Sequence, residues 1–122
     1  MTTDWTALVI DTESLRPEGG GAPLFEGYRW GGARVSFFVS NAAPGRGVSL
    51  HRHPYEEVFL LLGGEARFWV DGRSLDAHAG HVLVAPAGSA HKFINSGSGP
   101  LRSVNIHAND RNVAEWLPED DA

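Results

Sequence analysis

The sequence predicts an all-β domain, an antiparallel sandwich or closed barrel, and three observations carry that prediction. Turn-forming residues fall at 41–47, 63–64, 71–72, 80, 86–88 and 96–100, often only about 8 to 12 residues apart. Between them, residues 35–39, 57–62, 66–70, 81–85 and 101–107 have strand lengths and are rich in β-branched and aromatic side chains. Asp71-Gly72 suits a two-residue hairpin with positive φ at both central positions, so the strand ending at Val70 should return at once through Arg73-Ser74-Leu75.

In chain order, residues 1–34 read as an N-terminal extension. Met1-Thr2-Thr3-Asp4-Trp5 carries an acidic residue where a secretory leader has basic ones, and no apolar run follows, so a cytoplasmic protein is expected. Pro17, Gly19-Gly20-Gly21 and Gly31-Gly32 make 14–32 a loop with one short edge strand. Residues 35–108 supply the barrel core. In the tail, 109–122, residues 112–117 are expected as a short helix capped by Asn109 or Asp110, and the acidic stretch 118–122 is expected to fray.

Composition narrows the function. The 122 residues suit one domain, and no apolar run approaches the roughly 20 residues that span a bilayer, so no membrane partner is expected. No cysteine is present, which excludes disulfides, iron–sulfur clusters and a thiolate nucleophile, and leaves any metal to nitrogen and oxygen ligands. A net charge of −5, with Lys92 as the only lysine, leaves no basic patch for nucleic acid.

The chemistry concentrates in two segments. Residues two apart on a strand share a face, so His51 and His53 direct both imidazoles to one side. Pro54 ends that strand, and the next opens with Glu56-Glu57, which can return a carboxylate to the same place. Alternation with Phe59 and Leu61 puts Glu57 on the inward face and Glu56 in solvent. After the turn at 86–88, His91, Phe93 and Asn95 share a face, and His91 is a candidate fourth member. Two or three imidazoles with a carboxylate make a divalent-metal site.

These residues fall into two spaced patterns. Gly45, His51, His53, Glu57 and Gly64 follow a glycine, five residues, His-x-His, three residues, Glu, six residues, Gly. Gly80, Pro86, Gly88, His91 and Asn95 follow a glycine, five residues, Pro-x-Gly, two residues, His, three residues, Asn. Both match the motifs of the cupin superfamily (motif 1 at 45–64, motif 2 at 80–95), and the chain resembles a small single-domain bacterial cupin. That resemblance implies a double-stranded β-helix, or jelly-roll, barrel with one divalent ion of Fe, Mn, Ni, Co, Cu or Zn held by His51, His53, Glu57 and His91. An octahedral ion so held keeps two positions for a small-molecule substrate, dioxygen or water. The resemblance further implies a homodimer and a metal-dependent enzyme on a small oxygen-rich substrate, with dioxygenase-type chemistry preferred. A non-oxidative cyclase, isomerase or lyase, and a non-catalytic binding module, are the alternatives.

Other residues carry weaker expectations. His107 shares a strand face with Ser103 and Asn105, and is either a group near the metal or a histidine at a strand end near the surface. Tyr28 is an acid–base candidate by type, whereas Tyr55, between ligands, reads as a structural plug. His78 and His81, flanking Gly80, are expected in solvent. Phe37, Phe59, Phe68 and Phe93 either line or fill the barrel, and Trp30, Trp69 and Trp116, if exposed on an outer face, would mark a dimer interface. Nothing resembles a Ser-His-Asp arrangement or a phosphate-cradling glycine loop.

Overall fold

The inward strand faces bury every second residue, the period a pleated strand shows when one side meets a core. The computed structural model describes residues 6–119, and among them the regular structure is almost entirely strand. In chain order the strands are β1 (Leu24–Glu26), β2 (Ser36–Ala42), β3 (Gly47–Arg52), β4 (Glu57–Gly63) and β5 (Glu65–Val70). They continue with β6 (Arg73–His78), β7 (Val82–Ala85), β8 (His91–Asn95), β9 (Leu101–His107) and β10 (Glu115–Trp116). Two five-stranded antiparallel sheets result, ordered β1-β2-β9-β4-β7 and β10-β3-β8-β5-β6. This is the antiparallel barrel that the turn spacing predicts, in the jelly-roll form that the cupin resemblance implies.

Asp71 and Gly72 have φ of 49° and 79°, as the two central positions of the expected hairpin require, and Val70 pairs directly with Arg73. Gly64 has φ of 89°, and a Cβ there would meet the Pro100 carbonyl oxygen at 2.5 Å, so the last glycine of the first motif has a steric reason.

The inward residues divide the interior into two zones. Along β4 the buried series is Glu57, Phe59, Leu61, and along β9 it is His107, Asn105, Ser103, Leu101; Glu57 pairs with His107, Phe59 with Asn105 and Leu61 with Ser103. On the facing sheet His51 pairs with His91, and Phe93 follows on β8. Phe59, Phe68 and Phe93 meet with ring centroids 4.9 to 5.6 Å apart, and Leu61, Leu83 and Leu101 pack with them. This cluster fills one end of the barrel and leaves the histidines and Glu57 at the other. Phe37 is not part of the filling: it points outward and stacks on Phe25 at 4.9 Å.

The C-terminal segment corrects one expectation. In place of a helix, residues 109–114 are irregular and lead into β10, where Glu115 pairs with Arg52 and Trp116 with His51. Six residues are too few for a helix to hold itself together, and Asn, Val and Trp are middling helix formers, so the free edge of β3 captures the segment. Of the stretch expected to fray, residues 120–122 lie outside the described range. Glu119 is tied down, accepting from the Leu50 backbone N–H at 3.1 Å and from Lys92 Nζ at 2.9 Å.

Candidate metal centre

Three strands and one loop position deliver the site. His51 comes from β3, His53 from just beyond its end, Glu57 from the start of β4 and His91 from the start of β8, and all four are buried. One ligand atom from each lies within 4.8 Å of the others. Around Glu57 Oε1, His91 Nε2 stands at 2.9 Å, His53 Nε2 at 3.0 Å and His51 Nε2 at 3.9 Å. Glu56 is exposed, as strand alternation requires.

The far side of each ring explains its orientation. Nδ1 of His51 donates to the Ser49 carbonyl at 2.7 Å, Nδ1 of His53 to Val113 at 2.7 Å, and Nδ1 of His91 to Ser89 at 3.0 Å. A carbonyl only accepts, so each Nδ1 carries the proton and each neutral ring presents the Nε2 lone pair to the centre. Three lone pairs converging on a carboxylate repel one another unless a cation lies among them. The donor set therefore fits one divalent metal ion.

The electrostatics of the cluster differ from ring to ring. Burial lowers the His51 pKa to about 4, with the neighbouring His91 and His53 acting in the same direction, so this ring is neutral at neutral pH. Burial pushes the Glu57 carboxyl up, but without an ion a proton on Nε2 of His107, His53 or His91 can be given to it, and these contacts outweigh burial and hold the group well below the usual carboxylate range. For His53, burial opposes the charged form, and Glu57 and the Val113 carbonyl outweigh it, raising the pKa, so in the absence of an ion this ring holds a second proton more readily, and metal binding at Nε2 displaces it.

His107 proves to be the buried alternative of its two readings. It is 2% exposed because β9 is an interior strand, and its Nε2 lies 3.2 Å from Glu57 Oε2. Its Nδ1 lies 2.8 Å from the Tyr55 hydroxyl, which also receives the Val113 N–H at 2.9 Å. Tyr55 is thus the plug expected of it, with a polar tip that joins β9 to the C-terminal segment. Tyr28 lies elsewhere, half-exposed on the 3-10 turn Gly27–Arg29, with its hydroxyl accepting from Arg29 at 2.8 Å. His78 and His81 are exposed and lie against each other, their rings tilted by 36° with centroids 3.8 Å apart.

A cavity of about 310 Å³ opens onto the centre, lined in part by Phe38, Val48, Phe93 and Trp116. Trp116 is 63% exposed at the cavity wall, 5.1 Å from the His51 ring. Three contributors escaped the sequence reading. The Val113 carbonyl has no side-chain signature, and the polar pair Ser103–Asn105 was legible only as residues sharing the face of His107.

A small antiparallel barrel with three buried imidazoles and a carboxylate gathered at one end defines a cupin-type protein with a metal-site-like centre. The family model for the cupin domain matches residues 38–107, and the chain belongs to that family. It is 36% identical over 64 residues to an oxalate-binding protein of Thermotoga maritima, covering 52% of this chain and 53% of that protein. It is 34% identical over 62 residues to the Streptomyces cyaneus polyketide synthase CurC, covering 50% of this chain and 40% of that protein. Among solved structures, an oxalate decarboxylase of Bacillus subtilis with Mn(II) centres superposes with a TM-score of 0.77 at 23% identity, over 87% of this chain and 31% of that one. A cupin superfamily protein from Desulfitobacterium hafniense superposes with a TM-score of 0.56 at 28% identity, over 61% of this chain and 66% of that one. The chain spans about half the length of the curated relatives it matches. Among the described residues no helix is long and apolar enough to cross a membrane.

Proposed function

We propose that this cupin is a metal-dependent enzyme acting on a small oxygen-rich organic molecule, with oxygenase-type chemistry as the leading reaction. The observation that carries the reading is the convergence of three Nε2 lone pairs and one Glu57 oxygen beneath a cavity, each imidazole held by a backbone carbonyl. His51, His53, Glu57 and His91 hold the ion. A divalent ion of Fe, Mn, Ni, Co, Cu or Zn supplies Lewis acidity there and, where it is redox-active, electrons for dioxygen. The chain's own residues orient and desolvate the substrate: Phe38, Phe93 and Trp116 exclude water, and His107 holds a proton against Glu57 Oε2.

A non-oxidative lyase, cyclase or isomerase is the second reading, favoured by His107, which lines the cavity and is an acid–base group by type. The likeness to a protein named for binding oxalate supports a small-molecule ligand under either reading. Pairing into homodimers in the cytoplasm completes the proposal.

Elemental analysis of protein purified without a nickel column, followed by anaerobic reconstitution with each metal and measurement of oxygen uptake, tests the reaction class. Oxygen consumption with iron or manganese supports the oxygenase. Zinc in the native protein, with no oxygen uptake after iron loading, overturns it.

A further inference from the structure

The cavity over the metal centre is apolar and short of positive charge. Among the described residues its lining includes no lysine or arginine, and its titratable members are His51, His53, Glu57 and His107. Lys92 and Arg52 alternate with the buried histidines of their strands and reach outward, to Glu119 and Glu115. With neutral imidazoles and one carboxylate, a divalent ion leaves the centre at +1. A singly negative chelator neutralises that charge, whereas a dianion leaves one buried negative charge with no fixed cation beside it, an expensive outcome. Phe38, Val48, Phe93 and Trp116 border an open cavity of about 310 Å³, and a cavity of about 150 Å³ already holds a benzene ring.

Besides the clustered side chains and His107, the lining carries Ser40, Asn105 and Asn112, and of these three Asn105 is the buried one. It is 4% exposed, its Oδ1 accepts from the Ser103 hydroxyl at 2.7 Å, and its Nδ2 has no hydrogen-bond partner among the described residues. Fixing Oδ1 on Ser103 turns the amide N–H groups toward the cavity that Asn105 lines. Among the described residues the buried side-chain atom without a partner is Ser36 Oγ, so the Asn105 amide opens to the cavity, where an oxygen of an entering ligand can replace water on it.

We propose that Asn105, oriented by Ser103, grips an oxygen of the substrate, and that the pocket selects a neutral or singly charged O,O-chelating molecule with an apolar, ring-sized body over a small dicarboxylate such as oxalate. The proposal rests on the metal-centre reading above. It assigns this chain a ligand class unlike the one named for its Thermotoga relative.

Isothermal titration of the full-length zinc-loaded protein with benzohydroxamate, acetohydroxamate and oxalate tests it, with zinc retention measured after each titration. Both hydroxamates bind metals as singly charged oxygen pairs, and only the first carries a ring. Benzohydroxamate is expected to bind about tenfold or more tighter than acetohydroxamate, with oxalate weakest. Asn105→Leu, close in shape but without the donor, is expected to weaken benzohydroxamate about 3- to 10-fold at unchanged zinc stoichiometry. Ser103→Ala, which frees the amide to rotate, is expected to give a smaller loss and carries the test if Asn105→Leu fails to fold. Oxalate binding tighter than benzohydroxamate, or wild-type affinity in the variants, overturns the proposal. Failure to take up zinc at all overturns the metal reading itself, and elemental analysis distinguishes that result from a loaded protein that prefers oxalate.

Discussion

Replacing Tyr55 with Phe removes one oxygen and tests whether the metal centre is braced from behind. The Tyr55 hydroxyl accepts from Val113 N–H at 2.9 Å, and its oxygen, with a single proton to give, lies 2.8 Å from His107 Nδ1 and 3.1 Å from the Val113 carbonyl oxygen. The Val113 carbonyl already receives His53 Nδ1, so the arrangement that satisfies every group has Tyr55 donating to His107. His107 then carries its proton on Nε2, against Glu57 Oε2 at 3.2 Å. In Tyr55→Phe, His107, 2% exposed, loses its partner at about 1–3 kcal/mol, and the half-open Val113 N–H adds about 1 kcal/mol. At about 4 °C per kcal/mol for a domain of this size, the melting temperature should fall by roughly 8–16 °C. Metal affinity should fall about 10-fold or more as His107 loosens from Glu57. Thermal denaturation by circular dichroism and competition with a fluorescent chelator read the two effects. A variant within about 2 °C of wild type and equal in metal affinity would refute the brace.

The remaining predictions concern the ligands, the ion and the assembly. His51→Ala or His91→Ala should empty the protein of metal while the barrel still folds, and unchanged metal content in both variants, measured by plasma mass spectrometry, would sink the ligand assignment. Stripping the ion with a chelator should lower the melting temperature, and readdition should restore it by an amount that grows with free metal, at about 2.7 kcal/mol for a hundredfold excess over Kd. Light scattering should report a homodimer; the exposed Val82 and Val84 on the edge strand β7 are the contact to disrupt, and a Val84→Glu chain that keeps the wild-type mass would place the interface elsewhere.

The strands and the clustering of His51, His53, Glu57 and His91 were legible in the sequence because both depend on the two-residue period. Alternation selected Glu57 over Glu56, and motif spacing selected His91. What stayed illegible depends on tertiary neighbours. His107 is near the end of the last long strand, where a surface position is as ordinary as a buried one, and only its place between β2 and β4 buries it. The segment at 112–117 carries local cues for a helix that the unpaired edge of β3 overrides. Val113 acts through its carbonyl, a group every residue has, so no side-chain pattern could have pointed to it.

That carbonyl makes the C-terminal segment part of the metal centre although it lies beyond the residues matched to the cupin family. The segment accepts the proton of His53 through Val113, pairs β10 with the strand carrying His51, and is latched by Arg52 to Glu115 and Lys92 to Glu119. Each latch is an exposed ion pair worth about 0–1 kcal/mol, so removing both should cost the fold little. The doubled variant Glu115→Gln with Glu119→Gln should therefore melt within about 5 °C of wild type. Because Glu119 also accepts the Leu50 N–H beside His51, the same variant should open the segment more often and release metal to a chelator about 3-fold or more faster. Hydrogen exchange over 112–117 reports the opening, and stopped-flow chelation reports the release. Faster exchange with unchanged metal release would show that His53 keeps its orientation without Val113, and the segment would then be a cover for the cavity with no part in holding the ion.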